Sequence, residues 1–299
     1  MKRRRISLGS AAVLAAALVA VLAVRGVVRP GAAAQGSPPR PPLTQAPDGR
    51  RLVLTFSDEF DTLRLWNGRT GSWRPTYGDG QDERLGRRTL TNNREREIYV
   101  DPAYGDDAGR FGLNPFSTRG GVLSIVADRA PSALVPRLHG YRYTSGVITT
   151  QPSFSQRYGY FEMRARIPGG KGVWPAFWLL PADMSWPPEI DVMESVGDPA
   201  TVYMTVHAPK QKKGAKSETA KIAPGAFHTF AVSWDPRELV WYVDGREAAR
   251  KPTPPGVDKP MFLIANLALG GYWPGDPDKT TPLPVTFAID YIRAYRFAP

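Results

Sequence analysis

From about residue 51 to its end, the chain alternates short apolar and aromatic runs with turn residues, a pattern that predicts strands and not helices. Residues 51–56, 121–126, 158–167 and 227–234 are rich in β-branched and aromatic side chains and are bounded by Gly, Pro or Asp. Residues 239–243 run into Asp244-Gly245, a two-residue hairpin signal, and residues 246–248 return from it. Residues 287–295 largely alternate apolar with polar positions. No segment of useful length keeps a helical period, and no internal repeat is present. The expected fold class is therefore all-β, an antiparallel sandwich. Trp234 and Trp241 each sit inside an apolar alternation and are expected in its core. Two charged stretches, 76–96 and 209–221, read as solvated loops between strands.

Composition sharpens this in three ways. Gly 29 and Pro 30 make up about a fifth of the 299 residues, too many breakers for long helices. The chain has no Cys, which excludes disulfides, thiolate metal sites and a cysteine nucleophile. The formal charge of +11 invites a nucleic-acid reading, but Lys2, Arg3, Arg4, Arg5, Arg25 and Arg29 stand in the first 34 residues with no acid among them. More than half the excess thus belongs to a leader, and no nucleic-acid partner is expected.

That leader has a basic start at residues 1–5, an apolar run of 14 at residues 11–24, and Ala32-Ala33-Ala34 as a small-residue site. This is the plan of a secretory signal peptide cleaved after Ala34, which places the protein outside the cell or in a periplasm. The alternative extends the apolar stretch back to Ile6 and keeps it as an uncleaved membrane anchor. Residues 35–49, with Pro38, Pro39, Pro41, Pro42 and Pro47, read as an extended linker, and residues 50–299 as one folded domain.

The most informative segment is Trp186-Pro-Pro-Glu189-Ile190-Asp191-Val192-Met193-Glu194. Along a regular strand Glu189 and Asp191 share one face while Ile190 and Val192 pack on the other. Glu194 is out of phase, five positions from Glu189, unless a β-bulge at Val192-Met193 inserts one residue and returns it to the acidic face. Two Glu side chains roughly 13 Å apart at their α-carbons can then lean together over Asp191 to about 5 to 6 Å between carboxyls. That separation suits a retaining glycosidase, with Glu189 as ionised nucleophile, Asp191 as its hydrogen-bond partner and Glu194 as a proton-bearing acid/base. Trp174, Trp178 and Trp186 stand nearby in sequence, and indole faces beside paired carboxylates are how a protein holds a sugar ring.

These residues resemble glycoside hydrolase family 16, the β-jelly-roll glucanases, in its members with a bulged ExDxxE strand: laminarinase-like and bacterial exopolysaccharide-glycanase-like enzymes. The resemblance rests on seven segments in the family's order: FSDEF at 56–60, YGYFEMR at 158–164, GVWPAFW at 172–178, the acidic strand, FHTFAVSWD at 227–235, LIANLALGG at 263–271 and IDYIRAY at 289–295. It implies a jelly roll of two antiparallel sheets with a concave substrate cleft, and the same roles for Glu189, Asp191 and Glu194. It further implies that Trp174, Trp178, Trp186 and His207 line the cleft, together with Asn93, Arg164 and Asn266. No cofactor is required; a structural calcium on the convex face would draw on Glu59 and Asp290.

The chain departs from the family at Pro188, where Gly usually precedes the first catalytic Glu, and in the long stretch at residues 92–116. The latter leaves the substrate open between a β-glucan and a bacterial exopolysaccharide. The expected activity is endo-hydrolysis of β-1,3 or β-1,4 linkages by double displacement. Transglycosylation on the same substrates, and a carbohydrate-binding jelly roll without chemistry, are the alternatives.

Overall fold

The structure, a computed structural model, describes residues 40–77, 85–210 and 215–299. The leader and the first part of the predicted linker lie outside them. Among the described residues two sheets form a sandwich. The larger runs β16 (Arg246–Pro252), β15 (Glu238–Val243), β14 (His228–Trp234), β9 (Gly159–Arg166), β18 (Val285–Phe297), β6 (Val122–Arg129), β7 (Tyr143–Ser145) and β2 (Glu97–Tyr99). Against it pair β1 (Leu52–Asp58), beside β18, and β5 (Phe116–Arg119), beside β6. The smaller sheet runs β13 (Glu218–Lys221), β12 (Thr201–His207), β11 (Glu189–Glu194), β10 (Val173–Pro181), β17 (Met261–Leu269) and β8 (Val147–Thr149). A short ribbon of β3 (Gly105–Asp106) and β4 (Gly109–Arg110) stands apart. Pairing is antiparallel except between β2 and β7.

Period-two alternation builds the core between the sheets. Phe161, Met163 and Ala165 of β9, Phe230, Val232 and Trp234 of β14, and Trp241 of β15 face Phe177 and Leu179 of β10, Ile190 of β11, Val206 of β12 and Leu263 of β17. Trp234 and Trp241 are fully buried there, as the apolar alternation predicts. Trp241 also reaches across the core, and its indole N–H donates to the backbone oxygen of Asp191 at 2.9 Å. The Asp244-Gly245 turn joins β15 to β16, with φ of 51° and 72°, the positive values an Asp-Gly hairpin needs.

The stretch read as a linker is only partly one. Leu43 N–H donates to the Tyr295 hydroxyl at 3.2 Å, Ala46 is buried, and the Arg293 guanidinium donates to the carbonyls of Arg40 and Pro41. Residues 40–46 thus lie on the outer face of the larger sheet, and the folded body begins before residue 50. Its proline content permits an extended path, and buried tyrosine and arginine groups hold it there.

Candidate active site

The acidic strand carries the register shift that its sequence requires. Toward β10, Met193 pairs with Phe177 and Asp191 with Trp178, so Val192 is the extra residue. Toward β12, Asp191 pairs with Thr205 and Glu194 with Tyr203, three positions against two. Ile190, Val192 and Met193 all pack into the core, while Glu189, Asp191 and Glu194 turn to the opposite face. Pro188 stands just before β11, where its missing N–H interrupts no ladder.

Each acid has defined partners. Glu189 Oε2 accepts from Trp186 Nε1 at 2.8 Å, and Glu194 Oε1 accepts from Trp174 Nε1 at 2.9 Å. His207 pairs across the ladder with Glu189, its Nε2 lying 3.5 Å from Glu189 Oε1 and 3.2 Å from Asp191 Oδ2. Burial pushes all three carboxyls up. Glu189 rises to about 8 from burial and the neighbouring Asp191 charge, opposed by His207 and Trp186. Asp191 rises to about 7 from burial, eased by its hydrogen bond with Glu189. Glu194 goes well above the carboxylate range from burial and the charges of Asp191 and Glu189. The cluster therefore holds protons at neutral pH, with Glu194 the group that keeps its own longest. Such an arrangement can donate a proton from Glu194 and pass one between Asp191 and Glu189. Ligand-type atoms of Glu189, Asp191 and His207 also lie within 4.8 Å of one another. A cation held there would occupy Glu189 and Asp191, two of the three clustered carboxyls.

The predicted aromatic residues divide into two kinds. Trp186 is 66% exposed and its ring lies 6.2 Å from that of His207, an open plate at one end of the acidic row. Trp174 meets Trp273 edge-on at 5.7 Å. Trp178, by contrast, is buried under Tyr77, and its Nε1 donates to Asn266 Oδ1 at 2.8 Å. Asn266 is itself buried and donates to the Tyr99 hydroxyl at 3.0 Å. Tyr77 and Tyr99 thus cover this part of the sheet, and Trp178 and Asn266 act as its floor instead of offering open surface. Asn93 stands at the rim: its carbonyl accepts from Tyr272 N–H at 3.0 Å, and a Cβ at Gly271 would press tightly on that oxygen and on Trp174.

Two expectations are corrected. Arg164 lies on β9 of the larger sheet, its neighbours Met163 and Ala165 facing the core, so its own side chain points to the outer face, away from the acids. There it donates to Asp290 Oδ2. The calcium pair does not fit a cation either. Both oxygens of Glu59 accept from the Arg293 guanidinium at 2.8 and 2.7 Å, and Asp290 is engaged by Arg164. A guanidinium already supplies the positive charge that each carboxylate needs.

Sequence reasoning missed Tyr203, Tyr272 and Trp273. Tyr203 shares the face of His207 at a four-residue spacing on β12, and its ring meets Trp273 edge-on at 4.8 Å. Tyr272 and Trp273 are 68% and 42% exposed in a Gly- and Pro-rich turn directly after β17. Two exposed aromatics in such a turn, following the strand of Asn266, were the available signal.

A two-sheet sandwich with a bulged row of three acids and aromatic plates at both ends defines a jelly roll built around a carbohydrate-type cleft. The chain belongs to the glycosyl hydrolases family 16, whose model matches residues 115–293. It is 46% identical over 247 residues to the endo-1,3-1,4-beta-glycanase ExsH of Rhizobium meliloti (strain 1021), and 44% over 249 residues to EglC of the same strain. Each alignment covers 82% of this chain and 52% of the relative, so the chain spans about half the length of these relatives. Among solved structures it is similar to the laminarinase catalytic domain from Thermotoga maritima MSB8, with 33% identity, a TM-score of 0.67, and coverage of 83% of this chain and 99% of that one.

Proposed function

We propose that the protein is an exported endo-β-glycanase that cleaves β-1,3 or β-1,4 linkages of a glucan or a bacterial exopolysaccharide with retention of anomeric configuration. The carrying observation is the bulge, which puts Glu189, Asp191 and Glu194 on one face with an indole donor on each Glu. Glu194, the acid whose proton is held longest, protonates the leaving oxygen while Glu189 attacks the anomeric carbon and closes a glycosyl-enzyme. Asp191 takes up the proton it shares with Glu189 as the nucleophile commits. Glu194, now ionised, then draws a proton from water, which hydrolyses the intermediate. The β-1,3-1,4-glycanase activities for which the relatives are named support this class of substrate, and the leader pattern supports export.

The test is a polysaccharide panel (laminarin, lichenan, agarose, succinoglycan-type polymers) with products sized and the first anomer read by NMR. A β-anomer as first product is expected, and an α-anomer refutes retention. Glu189→Gln should abolish turnover while near-UV circular dichroism stays native; normal turnover by that variant refutes the assignment. Products longer than the substrate would make sugar, not water, the acceptor.

A further inference from the structure

Glu95 and Glu97 are 5% and 0% exposed, and the chemistry proposed above uses neither. Their carboxyls lie within hydrogen-bonding reach of each other. Glu97 Oε2 accepts from Leu269 N–H at 2.7 Å, while its Oε1 is buried with no donor. Glu95 accepts from Leu90 N–H at 3.0 Å, from Asn93 Nδ2 at 3.3 Å and from the Tyr99 hydroxyl at 3.5 Å. Two ionised carboxylates repel at such a contact, whereas one proton shared between them turns it into a charge-assisted O–H···O bond.

What the pair joins is specific. Glu95 belongs to the turn at residues 91–95, and Glu97 holds the last residue of β17, just before the turn that carries Tyr272 and Trp273. The same two segments are laced by Arg96 N–H to the Leu269 carbonyl at 2.7 Å, by Tyr272 N–H to the Asn93 carbonyl, and by the Arg96–Asp276 pair at 2.8 Å. They approach so closely that a Cβ at Gly270 would meet Arg96 Cγ at 2.4 Å. Beyond the turn, Trp273 rests on Trp174, which donates to Glu194.

We propose that Glu95 and Glu97, sharing one proton, are positioning residues that clamp the Asn93 turn to the Gly270–Trp273 turn and so set Trp273 against Trp174 at the acid/base end of the cleft. The proposal rests on the reading of the cleft given above. Burial raises both carboxyls, Glu97 well above the usual carboxylate range, so the shared proton is present at neutral pH and is lost on alkalinisation. The groups facing the pair are the Tyr99 hydroxyl from β2, Tyr77 from the 74–77 segment, the Leu90 and Asn93 amides, and the Leu269 amide from β17; Glu189 acts on Tyr77 from the acidic row. The adjacent cations are turned outward, Arg96 onto Asp276 and Arg94 over the Tyr272 ring at 4.4 Å.

The experiment uses the full chain as wild type, Glu97→Gln, Glu97→Ala and Trp273→Phe, with mixed-linkage β-1,3-1,4-glucan and tryptophan emission recorded from pH 5 to 10. Glutamine keeps a donor that no base removes. In wild type KM is expected to rise about tenfold on the alkaline side, as a stacking contact is lost, with kcat changing far less. Glu97→Gln should flatten that rise, and Glu97→Ala should show the high KM at every pH. The alkaline emission change of wild type should be missing in Glu97→Gln and in Trp273→Phe. A KM profile of Glu97→Gln superimposable on wild type overturns the clamp. Should Glu97→Ala fail to fold, Glu97→Gln decides alone. Should wild type fail to cleave the glucan, the substrate reading falls while the emission titration still reads the clamp, whose failure is an emission change persisting in Glu97→Gln.

Discussion

The indole N–H of Trp241 donates across the core to the backbone oxygen of Asp191, 2.9 Å away, where the register of β11 slips by one residue. A bulge loosens the ladder on its own strand, so its geometry has to be fixed from elsewhere. Here the opposite sheet fixes it, through a side chain that is otherwise plain core.

Replacing that donor tests the coupling of core to chemistry. Trp241→Phe should cost about 1–3 kcal/mol of stability, because a buried carbonyl loses its partner and a cavity opens. It should also lower kcat more than KM, since Asp191 sits between Glu189 and Glu194 on the acidic face. Urea unfolding and steady-state kinetics check both; a destabilised variant with unchanged kcat would make the bond purely structural.

Asp191 should make the protein less stable as pH rises. Its folded value of about 7 lies above the ordinary aspartate value, so between those limits the native state holds a proton that the unfolded chain has released. Stability is thus lost from roughly pH 4 to 7, by on the order of 2 kcal/mol once the shared proton is allowed for. Asp191→Asn should match wild type near pH 3.5 and melt progressively higher by pH 7. Parallel melting curves across that range would show that burial does not trap the proton.

Much of this was legible from residue spacing alone. Period two identified the strands and the core positions of Trp234 and Trp241, and the odd step from Glu189 to Glu194 demanded the bulge. What spacing does not carry is which sheet a strand joins. Arg164 alternates as a polar residue on β9 whichever sheet takes that strand, and only long-range pairing with β14 and β18 puts it on the outer face. Likewise Trp178 and Asn266 do lie on the acidic face of their sheet, but Tyr77, from the 74–77 segment, and Tyr99, at the end of β2, cover them. Glu95, counted among the loop charges of residues 76–96, and Glu97, the first residue of β2, are buried because two turns close over them.

Calcium should do nothing to the fold. Glu59 and Asp290 are each neutralised by an arginine, so EDTA or added calcium is expected to leave Tm unchanged. A calcium-dependent rise of several degrees would mean that a cation displaces Arg293 or Arg164.

The two indole donors should set opposite limbs of the pH–rate profile. Trp186 lowers the Glu189 value through its hydrogen bond to the ionised form, and Trp174 does the same for Glu194. Trp186→Phe keeps the ring and removes the donor, so Glu189 ionises at higher pH and the acidic limb of kcat/KM should move up by about one pH unit, with the alkaline limb in place. Trp174→Phe should leave the acidic limb and move the alkaline limb upward, because Glu194 then keeps its proton longer. Profiles measured on the same glucan distinguish the two, and an acidic limb displaced by Trp174→Phe alone would exchange the roles assigned to Glu189 and Glu194.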